Sequence, residues 1–284
     1  MRWFRSIWTI ALLNLRKWKS DYRVWIAFAI TAVFVHSTTR GLSDFCSYVN
    51  LKSSPWIYPF LYMKYYTKML FFFPLILIFS NAPFIDGNQL YTVLRTGKRR
   101  WCAGQILYIV ITSAIFFGFV FLMSVLFNLD CMELTGGWGK VLNTLANTDA
   151  ATQFQIEFTP EKNVLEMFTP LQAVWFTYLH SCVSGLILGL LIFAFNMRIR
   201  GSGTFASAFL LVFCAIAAKE STFLKMAPIT WSTLNYIQLK YHDGLPEYGY
   251  VSTAYAVILI LEVLIILLLL KRYNFDESSS ALKR

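Results

Sequence analysis

Residues 251–270 read VSTAYAVILILEVLIILLLL, twenty positions with a single charge, Glu262. At 1.5 Å per residue an α-helix of that length rises about 30 Å, the thickness of a bilayer's hydrocarbon core. The apolar residues run continuously and do not alternate, which excludes a barrel strand. Five further apolar runs precede this one, at residues 24–39, 69–85, 101–127, 171–196 and 204–218; the first and fifth are short. Of the 284 residues, 57% are hydrophobic and 14% charged. A water-soluble surface needs many more charges than that. The expected fold is therefore all-α and polytopic: six transmembrane helices over 24–270, an N-terminal amphipathic interface helix over 1–23, and a tail over 271–284. Pro74 falls inside the second run, where neighbouring helices can satisfy the carbonyl it frees.

The first 23 residues carry six basic side chains, and Phe4, Ile7, Trp8, Ala11, Leu15 and Trp18 recur at three- and four-residue steps. A Trp-rich stripe opposite a basic face suits a helix lying in the membrane interface, in contact with lipid. No small-residue cleavage site follows, so the stretch does not read as a secretory signal. With this end inside, the inner segments hold sixteen Lys and Arg against four acids, whereas the outer segments 40–68, 128–170 and 219–250 hold nine against ten. That asymmetry is what the positive-inside rule expects, and it places both termini in the cytoplasm. The net charge of +10 then follows from topology and calls for no nucleic-acid partner.

Catalytic motifs are missing. Gly97-Lys98 ends no phosphate loop, since Thr92 stands where the first glycine belongs. His36, His180 and His242 are too scattered for a metal site, and Ser184-Gly185 lacks the preceding glycine of a hydrolase elbow. The five cysteines show no CxxC pattern; Cys46 and Cys131 both fall on the outer side and could pair, although an odd, dispersed set argues against a disulfide scaffold.

Three polar or small features stand out. Glu262 lies well inside the sixth run, where a carboxyl must be paired, hydrated or protonated. It is either a pathway residue or an interhelical hydrogen-bonder, with His36, His180 or a hydroxyl as partner. Gly185 and Gly189 form a small-xxx-small pattern that lets a neighbouring helix approach, and packing within one subunit is the favoured use. Between the second and third runs, residues 81–101 read NAPFIDGNQLYTVLRTGKRRW. Asp86 or Asn88 can cap a short helix over 88–95 and Gly97 can end it. Leu90, Val93 and Leu94 give that helix an apolar face, and Arg95, Arg99 and Arg100 a basic rim. Apolar anchors ringed by charge are how a short helix docks into a partner's groove.

The amphipathic start, the six runs, the loop LRTGKRRW followed by GQIL, and the PITW segment at 228–231 together resemble the membrane subunit of a type-two ABC exporter. The resemblance implies that Asp86, Gly87, Arg95, Arg99 and Arg100 belong to a coupling helix, and that residues 3–18 form an interface helix beside it. It implies as partners a cytoplasmic ABC ATPase subunit and a second permease subunit, identical or sibling. ATP and Mg would then be bound by the ATPase and no cofactor by this chain. The implied location is a bacterial plasma membrane, and the implied cargo a peptide, antibiotic or other amphipathic molecule moved outward. The long outer loop 128–170 departs from that family's pattern. A stand-alone secondary transporter or a non-transporting membrane scaffold is the alternative.

Overall fold

The computed structural model describes residues 2–84, 89–219, 221–237 and 245–273. Its helices are α1 (Arg2–Arg16), α2 (Tyr22–Thr39), α3 (Leu42–Val49), α4 (Tyr65–Phe79), α5 (Gln89–Thr96) and α6 (Lys98–Leu126), followed by α7 (Gly139–Asn147), α8 (Ala150–Gln153), α9 (Lys162–Met167), α10 (Pro170–Arg198), α11 (Ser202–Ala217) and α12 (Tyr248–Arg272). The described residues contain no strand, only one isolated bridge between Ser53 and Met132. Each of the six apolar runs contains one helix. The one over 69–85 ends early, at Phe79, because Ser80, Asn81 and Pro83 break the apolar run and residues 80–84 form a turn.

Three helices, α6, α10 and α12, are long and apolar enough to cross a membrane; α4 and α11 are shorter apolar helices. The outside of α12 carries Val257, Ile260, Leu261, Leu264 and Leu268, all exposed, while Val251, Tyr255, Glu262, Ile266 and Leu270 are buried against its neighbours. An apolar outer face over the length of a helix is stable in lipid and costly in water. The chain is a helical membrane protein.

Helix α10 is the centre of the bundle, packing against α4, α6, α11 and α12. Its two glycines explain how. A Cβ on Gly185 would meet Leu75 Cδ2 at 2.8 Å and Phe117 Cε2 at 2.9 Å. One on Gly189 would collide with Ile109 and sit 3.0 Å from Phe79 Cε2. The small-xxx-small pattern thus seats α4 and α6 of the same chain. At its start, Thr169 and Gln172 form a reciprocal capping box, each side chain bonding the other's backbone N–H.

The two ends of the bundle differ. At one, segments 40–68 and 128–170 fold together into a cap. Phe45, Ile57, Phe60, Trp138, Leu142 and Phe158 share its core. Ser54 Oγ donates to the Trp138 carbonyl at 2.8 Å, and Trp56 Nε1 donates to the Thr135 carbonyl at 2.9 Å. The stretch 221–237 forms 3₁₀ turns with Ile229, Thr230, Trp231 and Ser232 buried. It is fastened to the bundle by Lys68, whose Nζ donates to the Thr230 carbonyl (2.9 Å) and Thr233 Oγ1 (2.7 Å). Tyr255 secures the other side, its hydroxyl donating to the Pro228 carbonyl at 2.9 Å.

Candidate functional site

The opposite, basic end gathers α1, the turn 80–84, α5, and the ends of α10 and α12. Helix α1 lies along α6 and buries Ile7, Ile10, Ala11 and Asn14 there. Gly104 makes this approach possible, because a Cβ at that position would stand 2.6 Å from Ile10 Cγ2. The apolar stripe read from the sequence therefore divides in two. Ile7 and Ala11 face the bundle, whereas Trp3, Phe4, Trp8 and Leu12 form an exposed face. Two polar pins hold α1 in place. Asn14 Nδ2 donates to Gln105 Oε1 at 2.5 Å, and Trp18 Nε1 to the Tyr108 hydroxyl at 2.8 Å. Buried polar groups must find such partners or lose the free energy of their hydration.

The turn 80–84 is the junction of this end. Arg23, at the start of α2, donates to Ser80 Oγ at 3.0 Å and also bonds Asn81 Oδ1. Asn196, near the end of α10, donates to the carbonyls of Ser80 (3.2 Å) and Ala82 (2.8 Å) and accepts from the Gly203 backbone N–H (2.8 Å). Lys17 Nζ reaches the Phe84 carbonyl at 3.3 Å and Asn14 Oδ1 at 2.9 Å. One short turn thus ties α1, α2, α4, α10 and α11, four residues before the chain enters α5. Sequence reading passed over Arg23, Asn14, Gln105 and Asn196; the available signal was that each is a polar residue set in or beside an otherwise apolar run.

Helix α5 spans Gln89–Thr96, close to the expected 88–95. It ends as Gly97 adopts φ +86°, a conformation costly for any residue with a side chain, and the Gly97 N–H donates to the Val93 carbonyl at 2.8 Å. Asp86, Gly87 and Asn88, with their expected cap, lie outside the described residues, as does the side chain of Leu90. The expected apolar face is not a single face: Val93 is 6% exposed and joins the core of the bundle, while Leu94 is 75% exposed. Consecutive helical residues point about 100° apart, so 93 and 94 cannot share one direction. Leu94 is accompanied outside by Tyr91, at 73% exposure, which sequence reading did not single out. Arg95, Arg99 and Arg100 are exposed or nearly so around them, and Lys98 Nζ donates to the Tyr273 carbonyl at 3.2 Å, joining α6 to the end of α12.

The polar residues singled out within the apolar runs do not come together. Glu262 is 8% exposed, and its Oε2 has no hydrogen-bond partner among the described residues. His180 stacks on Phe176 with ring centroids 3.9 Å apart and lies 5.8 Å from the Tyr255 ring, two helical turns along α12 from Glu262. His36 is exposed on α2 with its ring 5.3 Å from that of Phe127. Neither histidine serves as the partner expected for Glu262. The described residues also contain no group of three His, Cys, Asp or Glu able to hold a metal.

Chemically, the basic end offers a binding surface: two solvent-facing apolar side chains on a short helix, a cationic rim, and a rigid polar junction behind them. Comparison with family models, with curated proteins and with solved structures finds no match to this chain.

Proposed function

We propose that this chain is the permease subunit of a type-two ABC exporter, with six spans and both termini in the cytoplasm of a bacterial cell. In this reading the basic end faces inward and α5 docks into a separate ATPase subunit that binds ATP and Mg. A second permease subunit completes the pathway, and the cargo is a peptide, antibiotic or other amphipathic molecule carried outward. The observation that carries the reading is α5 itself. It presents Tyr91 and Leu94 to solvent within a cluster of arginines, and a hydrogen-bonded turn leads into it from four bundle helices. Closure of an ATPase pair would push on that helix, and a junction with fixed partners would pass the displacement into the spans. Exposed Trp3, Phe4 and Trp8 on α1 would meanwhile rest among lipid headgroups. The test is purification from native membranes followed by mass spectrometry of bound proteins. A Walker-type ATPase in stoichiometric amount is expected; its consistent absence would end the assignment.

A stand-alone secondary transporter is the second reading, and Glu262 favours it. A buried carboxyl without a partner can carry a proton across a barrier. In proteoliposomes lacking any ATPase, a proton gradient would then drive transport by the wild type and not by Glu262→Gln. In the exporter reading Glu262 acts as a polar packing group and Glu262→Gln keeps most of the activity.

A further inference from the structure

Cys46 sits near the end of α3, in segment 40–68, and Cys131 lies in the 3₁₀ turn that follows α6, in segment 128–170. Both are buried within the cap, and two backbone features bring their segments together. The Ser53 N–H donates to the Cys131 carbonyl and the Glu133 N–H to the Ser53 carbonyl, each at 2.8 Å, which fixes the two segments in register. The Leu51 N–H donates to the Cys46 carbonyl at 3.1 Å, closing the turn that brings residue 53 to this register. Helix α3 packs against the 3₁₀ turn that holds Cys131, whose S–H donates to the Asn128 carbonyl at 3.3 Å. The other three cysteines lie on α6, α10 and α11, one to a helix.

We propose that Cys46 and Cys131 are a disulfide-forming pair, oxidised by thiol–disulfide exchange, that staples the two segments of the cap together. The co-reactant is a disulfide-bearing oxidant, either a small disulfide such as oxidised glutathione or an oxidised dithiol protein. One of the two thiols loses its proton and its thiolate attacks one sulfur of the oxidant, breaking that S–S bond and releasing one thiolate. The other thiol then loses its proton and attacks the protein sulfur of the mixed disulfide, releasing the second. Two protein thiols become one disulfide, the oxidant becomes two thiols, and the two protons end on them.

That the pair closes in the living cell rests additionally on the cap facing outward, as in the proposed topology. The experiment separates the two. Purified full-length chain in detergent is incubated with oxidised glutathione, alkylated after denaturation, and digested without reductant. The expected result is one crosslinked peptide pair joining residues 46 and 131, with two of the five cysteines lost to alkylation. Cys46→Ser and Cys131→Ser are each expected to abolish the crosslinked peptide pair, the remaining thiol being recovered alkylated or as a glutathione adduct. A wild-type chain in which both thiols remain alkylatable, or in which Cys46 or Cys131 crosslinks with Cys102, Cys182 or Cys214, overturns the pair. The same digest is then made on protein taken from cells quenched with an alkylating agent. Finding the bond there supports an outward cap. Finding it only in the purified protein leaves the pair standing and contradicts the proposed orientation.

Discussion

The cap and the basic end solve opposite problems with the same kind of chain. In the cap, residues far apart in the chain meet in an apolar core, so that Phe60 lies against Trp138, 78 positions on, and Phe45 against Phe154, 109 positions on, with ring centroids 5.2 and 5.1 Å apart. The basic end also buries apolar side chains, Ile7, Ile10 and Ala11 of α1 against α6, but its central turn 80–84 is held by hydrogen bonds, and Trp3, Phe4, Trp8, Tyr91 and Leu94 point away from the protein. Apolar burial is cumulative and tolerant of small shifts, whereas a polar junction is specific and fails when one member is removed. The cap is built to stay, and the basic end is built to be gripped.

The largest effect is expected in the cap. Trp138 is buried there, its Nε1 donating to the Phe168 carbonyl at 2.9 Å. Trp138→Ala should lower the unfolding free energy of the detergent-solubilised protein by about 3–5 kcal/mol, as large-to-small core changes do. A loss near zero would mean that the cap is not part of the cooperative unit. Next comes the junction. Asn196→Ala removes two donated bonds and leaves the Gly203 N–H without its acceptor, at a cost of about 1–3 kcal/mol. Limited trypsin digestion should then cleave sooner at Arg95–Arg100 while the cap stays intact. Simultaneous loss of both regions would show that the two ends are not separable.

Glu161, at the start of α9, gives a smaller and pH-dependent effect. Burial raises its pKa above the usual carboxylate range. The folded state therefore holds the proton more tightly than the unfolded one, so stability falls as the pH rises from the unfolded value of about 4.3 through the raised folded value, and levels off above it. Glu161→Gln should be without effect below about pH 4 and stabilising by under about 1 kcal/mol at neutral pH. Thermal melts of both proteins across that range decide it; a variant less stable at neutral pH would contradict the sign.

The bundle was legible in the sequence because its signal is local. A run such as 251–270 or 101–127 declares itself by length and by lack of charge, and the helices fall within a few residues of those runs. The cap was not legible. Its core residues come in short pieces (Phe45-Cys46, Ile57 to Tyr62, Val141-Leu142, Ile156 to Phe158) separated by glycines and charges, and each piece finds its partner far along the chain. No window of one or two turns contains that information. The junction was half legible. Gly97 as a helix stop follows from glycine's tolerance of positive φ, but that Asn196 would reach a turn 114 residues earlier depends on how α10 crosses α4. The apolar face of α5 was misjudged at Val93, because which side of a short helix is buried is decided by what it packs against.

Tyr91 and Leu94 give the most direct test of the account. Both side chains are exposed and touch no core, so Tyr91→Asp with Leu94→Asp should leave unfolding free energy within about 0.5 kcal/mol of wild type. Arg99→Glu with Arg100→Glu should weaken partner binding less, since solvated rim charges contribute roughly 0–1 kcal/mol each. The measurement is capture of the native Walker-type ATPase by each immobilised, detergent-solubilised variant, with ATP hydrolysis of the captured fraction recorded alongside. The double aspartate variant is expected to insert and fold as wild type does, yet to capture no ATPase. Wild-type levels of captured and active ATPase on that variant would contradict it, and α5 would then not be the docking element.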